Sequence, residues 1–263
     1  MSADVIDYQI HGAEMQFVEI ELDPRESAVA EAGAMMFMDA AIEMETVFGD
    51  GSVQQGGFFS RLVGAGKRLV TGESLFTTVF TNGGHGQARV AFASPYPGKV
   101  IPLSLASLGG ELHCQKEAFL CAARGVSLGI AFQKRIGTGL FGGEGFIMQK
   151  LNGDGLVFVH AGGAVVEKTL LPGEKLKVDT GCLVAKMPSV DMSVGYIGSV
   201  KSAIFGGEGF FLTELTGPGK VWLQSLPFSR LAGRIHESTP RTGGHDIGEG
   251  TVMDSFPELF NKR

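Results

Sequence analysis

The chain has 263 residues, 44% of them apolar, so it can bury a sizeable core and is not an intrinsically disordered polymer. Its 40 glycines follow no Gly-X-Y period and sit between short runs rich in Val, Phe, Ile and Leu, which excludes collagen and points to an all-β protein with many tight turns. A net charge of −6 works against non-specific nucleic-acid binding, and no run approaches the ~20 apolar residues of a membrane helix.

In chain order, residues 1–12 lack the basic and apolar regions of a secretory signal. A first block runs from Leu22-Asp23-Pro24-Arg25 through Gly33 to Ile42-Glu43-Met44 and reads as strands joined by turns. Residues 48–70 are less regular, and 58–70 have the pattern of a short amphipathic helix weakened by Gly64 and Gly66. Gly72-Glu73-Ser74-Leu75-Phe76 opens a second block with an Asn82-Gly83-Gly84 turn and a return strand over 88–93. Pro97-Gly98-Lys99 leads to a block like the first, with strands over 114–122 and 126–128.

The repeat then becomes exact. Phe141-Gly-Gly-Glu-Gly-Phe146 recurs 64 residues later at Phe205-Gly-Gly-Glu-Gly-Phe210, and Leu151/Leu215, Gly153/Gly217, Gly155/Gly219 and Val157/Val221 continue the match. Both copies read as strand, Gly-flanked turn, strand, the hairpin signal. Between them, Leu171-Pro172-Gly173-Glu174 leads to strands ending near Met192, a third copy of the first block. Two kinds of block therefore alternate. The reading is three pseudo-repeats: units at 71–130 and 142–196, and a third split between 1–48 and 205–232. The C-terminal hairpin is expected to pair with the N-terminal strands and close a pseudo-threefold ring, which would remove the edges of the sheets. Residues 233–263 read as a polar surface tail. Runs such as Phe146-Ile147-Met148 and Leu156-Val157-Phe158-Val159 are apolar at consecutive positions and call for cover on both faces.

The Gly-Glu-x-x-Phe and Phe-Gly-Gly-Glu-Gly-Phe boxes, the Pro-Gly steps at 97–98 and 172–173, and Ala32-Gly33-Ala34-Met35 resemble a bacterial group of uncharacterised proteins. That group is related to the fungal mitochondrial-biogenesis proteins called "altered inheritance of mitochondria". The resemblance reaches to about residue 230 and implies a triplicated form of the small β fold of the trp RNA-binding attenuation protein, a short double-stranded β-helix or sandwich-like unit. It implies no enzyme activity and no ligand, and the link of the mitochondrial relatives to inner-membrane organisation comes across only as analogy.

Catalytic motifs are weak on inspection. Gly125-Val-Ser127-Leu-Gly129 fits the nucleophile elbow but is followed by strand-like Ile130-Ala-Phe132 rather than a helix. Gly137-Thr-Gly139-Leu-Phe-Gly142 leads into a strand, so no helix N-terminus would face a pyrophosphate. At Gly64-Ala-Gly-Lys67-Arg68, Arg61 replaces the first glycine of a P-loop and Arg68 its Ser/Thr. A cupin-like metal enzyme would need clustered His, whereas His11, His85, His113, His160, His236 and His245 are scattered with no HxH pair, so no metal and no cofactor is expected. Cys114, Cys121 and Cys182 lie in apolar runs without a CxxC pair and read as buried, reduced thiols of a cytoplasmic protein.

Two repeated sets remain as candidates for binding. Glu73, Glu144 and Glu208 stand one per box, placed either to share a partner or to cap the Gly-rich turn. Lys67-Arg68, Lys134-Arg135 and Lys201 precede the boxes, with lysines 67 residues apart. The expectation is a non-enzymatic scaffold or binding protein that forms a homo-oligomer and takes an unknown protein partner. The alternative is a basic ring for RNA or an anionic membrane surface.

Overall fold

The computed structural model describes residues 2–48, 76–134, 145–196 and 211–238. The strands of the first stretch are β1 (Asp7–His11), β2 (Phe17–Leu22), β3 (Ser27–Glu31), β4 (Met35–Met38) and β5 (Ile42–Phe48). The second stretch carries β6 (Phe76–Asn82), β7 (Ala88–Ala93), β8 (Gly98–Ser104), β9 (Glu111–Gln115), β10 (Phe119–Ala123) and β11 (Ser127–Lys134). The third carries β12 (Phe146–Asn152), β13 (Leu156–Gly162), β14 (Val165–Leu170), β15 (Lys175–Asp179), β16 (Leu183–Lys186) and β17 (Asp191–Tyr196). The last has β18 (Phe211–Thr216), β19 (Gly219–Gln224) and the helix α1 (Phe228–Ser238). The protein is all-β apart from that helix and three single-turn 3-10 segments among the described residues.

The strands form four antiparallel sheets, ordered β1-β2-β7-β4, β5-β6-β3-β10-β13-β8, β11-β12-β9-β16-β19-β14 and β15-β18-β17. They stack in that order with a core in each gap. Val18, Ile20 and Val90 of the first sheet meet Ala28, Phe80 and Phe158 of the second. Val29, Val79, Val157 and Val159, on the other face of the second sheet, meet Leu112, Leu151 and Trp222 of the third. Phe146, Met148 and Val221 meet Val178, Val194 and Leu215 of the fourth. Because successive side chains of a strand alternate between faces, a sheet inside such a stack needs apolar residues at both parities. That is the reason for the consecutive apolar runs, and β13 has Phe158 in the first core and its neighbours Val157 and Val159 in the second.

Two expectations are corrected here. The Gly-flanked turns do not make hairpins: β12 pairs with β11 and β9, and β13 with β10 and β8. The chain turns a corner from one sheet to the next, so that Leu151 and Val157 on either side of the turn point into the same core. The turns between β6 and β7 and between β18 and β19 do the same, with Phe80 and Val90, then Leu215 and Val221, facing each other. Nor does the described part of the expected C-terminal hairpin, residues 211–225, pair with the N-terminal strands. β2 pairs with β1 and β7, while β18 pairs with β15 and β17 and β19 with β14 and β16. The first and fourth sheets are the outer layers of the stack, so β2 lies in one end layer, β18 in the other and β19 in the third sheet, and among the described residues no sheet is closed.

The two Pro-Gly steps are also not equivalent. Gly98 opens β8 opposite Gly162, whereas Pro172-Gly173 turns the chain between β14 and β15. The counterpart of the second step lies between β2 and β3. The Asp23 N–H donates to Glu26 Oε2 at 2.9 Å, as the Leu171 N–H donates to Glu174 Oε2 at 2.8 Å, and Arg25 and Gly173 share a φ of 76°. The expected helix at 58–70 lies outside the described residues. α1 begins inside the segment read as the end of the last unit and runs into the segment read as tail, anchored by Phe228 against Tyr96 at 5.2 Å between ring centroids.

Candidate functional site

Of the eight residues singled out from the sequence, Glu73, Glu144, Glu208, Lys67, Arg68, Arg135 and Lys201 lie outside the described residues. Lys134 ends β11, and its Nζ donates to the backbone carbonyl of Val194 on β17, a tie between the third and fourth sheets. Ser127 begins β11 opposite Asn152, in the strand setting expected for it rather than at an elbow.

One buried polar group was not flagged by the sequence. Glu31 ends β3, Tyr96 lies before β8, and His160 sits in the middle of β13. Burial raises the Glu31 carboxyl to about 7; nearby Lys116 opposes the shift and Glu117 adds to it. The Tyr96 ring meets the His160 ring edge-on at 4.5 Å, and burial pushes its phenol up, helped by the charges of Glu117 and Glu31. His160 is 2% exposed, neither ring nitrogen makes a fully formed hydrogen bond, and burial lowers its imidazole to about 4 against a small opposing contribution from the Tyr96 backbone. At neutral pH the group is therefore a half-protonated carboxyl near a neutral imidazole and a neutral phenol. It can hold a proton, and the low polarity around it makes each charge expensive. Cys114, fully buried, is pushed up by desolvation and by Glu31, which keeps it a thiol.

A second group lies at the junction of β9, β12 and β16. Glu111 accepts from Lys150 Nζ at 2.8 Å through one oxygen and sits 2.8 Å from His113 Nε2 through the other. These contacts, Lys150 first, hold its carboxyl below the usual range. Lys186, on the neighbouring strand, is 5% exposed and donates to the Val190 carbonyl at 2.8 Å, and burial lowers its amine. Among the described residues no cluster of His, Cys, Asp and Glu is placed to hold a metal ion. None of the three cysteines is in a disulfide, but Cys182 is only half-buried, with Arg230 3.9 Å from its Sγ, so only Cys114 and Cys121 match the buried-thiol expectation. No helix among the described residues is long and apolar enough to cross a membrane.

The third feature is a pair of strand edges. β4 ends the first sheet with Met35, Met36, Phe37 and Met38 all exposed, 37–56% each. β15 ends the fourth sheet with Lys175 and Lys177 exposed and Val178 buried. Four consecutive large apolar residues exposed on an edge are unusual, since edges are ordinarily blunted with charge or covered.

Comparison with known proteins gives three findings. A family model described as mitochondrial biogenesis AIM24 matches residues 8–226. An uncharacterized protein of Streptococcus pyogenes serotype M6 is 29% identical over 231 residues, which is 86% of this chain and 88% of that protein. The crystal structure of the Streptococcus pyogenes protein SPYM3_0169 matches with a TM-score of 0.70 and 23% identity over 89% of this chain and 100% of that one, a likeness of fold.

Proposed function

This chain belongs to the mitochondrial biogenesis AIM24 family, and from that premise we propose that it is a non-enzymatic scaffold built of three pseudo-equivalent β units, which acts by assembling and binding. The observation that carries the reading is a strand order that recurs. β6 lies between β5 and β3, β12 between β11 and β9, and β18 between β17 and β15. In the same way β7 lies between β2 and β4, β13 between β8 and β10, and β19 between β14 and β16. Each of β4, β10 and β16 also carries a register shift after its first residue, at Met35/Phe37, Phe119/Cys121 and Leu183/Ala185. A bulge kept at one place in three strands supports the reading of one unit used three times.

The three cores favour a phasing into contiguous units, 17–93, 98–162 and 165–224, each a sandwich of two three-stranded halves. Residues 71–130 and 142–196 then each span parts of two sandwiches, and no unit has to be split between the ends of the chain. Each six-stranded sheet is made of halves from two successive units. The small β unit implied by the sequence resemblance, that of the trp RNA-binding attenuation protein, is a reasonable analogue of one such sandwich. A cytoplasmic location fits cysteines that form no disulfide among the described residues.

The other reading, a basic ring for RNA or an anionic membrane surface, has one of its three lysines, Lys134, engaged with the Val194 carbonyl. Filter binding at low salt with single-stranded RNA, and flotation with anionic vesicles, would revive that reading if either gave strong, salt-sensitive binding. Native mass spectrometry of protein purified from its own host tests the scaffold. Protein subunits alone in a fixed ratio are expected, and a stoichiometric small molecule retained on the protein would contradict the reading.

A further inference from the structure

We infer that β4 and β15 are the two sides of one docking seam, filled in the assembly by β15 and β4 of further copies of this chain. The inference rests on the three-unit reading above and adds a partner and a register to it. Inside the chain, successive half-sheets are joined at two seams. β3 pairs with β10 through Ala30↔Cys121 and Val29↔Ala122, and β9 pairs with β16 through Cys114↔Ala185 and His113↔Lys186. β15 occupies in its half-sheet the place of β3 and β9, and β4 occupies the place of β10 and β16. Among the described residues neither has a strand on its outer side. Four of the six half-sheets are thus joined in pairs, and the two end ones present the matching edges that would make one more pair.

The register follows from the neighbours. Ala30 stands opposite Thr78, Cys114 opposite Gln149 and Val178 opposite Thr213, on strands that match through Phe80, Leu151 and Leu215. Cys121, Ala185 and Phe37 each follow the register shift. The docked pairs are therefore Phe37↔Val178 and Met38↔Lys177, antiparallel, and Asp39 falls opposite Leu176 between Lys175 and Lys177. Their counterparts at the internal seams, Ala30, Cys121, Cys114 and Ala185, are wholly buried, whereas Phe37 is 41% exposed. Docking would give Phe37 the cover its counterparts have.

Face packing agrees with the same partner. Val29 and Val79 pack in the second core with Ala185 and Trp222. On the internal template, the positions of Val29 and Val79 are taken one unit on by His113 and Lys150, and those of Ala185 and Trp222 by Phe37 and Ala91 of the docked copy. The seam is heterologous, since one edge of each copy meets the other edge of the next. It therefore builds a ring if the rotation closes and a filament if it does not.

The test uses the full chain in a Cys182→Ser background. Met38→Cys and Lys177→Cys variants are purified separately, oxidised alone and mixed, and run without reductant, with His113→Cys/Lys186→Cys as an internal control. The expected result is a disulfide-linked dimer only in the mixture, a ladder of multiples for the Met38→Cys/Lys177→Cys double variant, and an intrachain link in the control. A double variant that links only within one chain, or a mixture that gives no dimer while the control links, overturns the seam and leaves the three units standing. Loss of the link in a folded control removes the three-unit reading itself.

Discussion

Arg25 and Gly173 occupy equivalent turns with the same positive φ, but only glycine, which has no Cβ to crowd, adopts that conformation without strain. Arg25 is exposed, so Arg25→Gly relieves the strain without removing a packed group. A gain of about 0.5–1 kcal/mol is expected from chemical denaturation, offset in part by the entropy glycine adds to the unfolded chain. Glu31 gives a pH signature. Its pKa rises from 4.5 in the unfolded chain to about 7 in the fold, so the folded state holds the proton more tightly between those values. Its contribution is fully present below pH 4.5 and is lost as pH rises through 7, to a total of about 3 kcal/mol. His160, lowered from 6.5 to about 4, acts in the opposite sense: its contribution is present above pH 6.5 and lost as pH falls through 4. Between about pH 4.5 and 6.5 Glu31 opposes His160, so Glu31→Gln is expected to show stability rising more steeply with pH than the wild type across that window. Denaturation midpoints at pH 4.5, 5.5, 6.5 and 8 check the prediction, and identical profiles for variant and wild type would contradict it. None of this was legible in the sequence, because Glu31, Tyr96 and His160 are brought together only by the pairing of β3 with β10 and of β10 with β13.

At the scale of elements, the strands were readable and their partners were not. The return strand expected over 88–93 is β7 to the residue, and Ser127 opens a strand as expected. A Gly-flanked turn between two apolar runs, however, specifies only that the chain reverses. Whether the runs then pair or face each other across a core depends on which face each must bury, and here the consecutive apolar residues were the available sign that both faces are covered. α1 escaped notice because its apolar residues are few and Gly233 interrupts it. Close approach of elements makes the sharpest element-scale prediction. A Cβ at Gly162 would strike the Leu226 carbonyl oxygen, where the chain leaves β19 for α1 and the Leu226 N–H donates to the Gly162 carbonyl at 3.1 Å. Gly162→Ala is expected to destabilise by about 3 kcal/mol, read from urea midpoints at an unchanged slope. Gly129→Ala, where a Cβ meets no described atom within 4 Å, is the matched control and should cost far less.

For the whole molecule, the exact hexapeptide repeat disclosed the duplication but pointed to closure within one chain, since a ring of three removes every edge. The stack of four open sheets leaves eight edge strands among the described residues instead, and the apolar one, β4, takes beside β7 the place that the buried β10 and β16 take beside β13 and β19. The repeated Glu and Lys sets, with Lys134 the only described member, bear little on this account; the informative residues are Met35 to Met38, whose exposure no sequence pattern distinguished from burial. Sedimentation equilibrium of the full chain, wild type beside Phe37→Lys, tests the assembly most directly. Wild type is expected above the single-chain mass, at a fixed multiple if the ring closes and as larger species if it does not, and Phe37→Lys at the single-chain mass with its thermal transition retained. A wild-type protein that sediments as one chain at micromolar concentration would contradict the account.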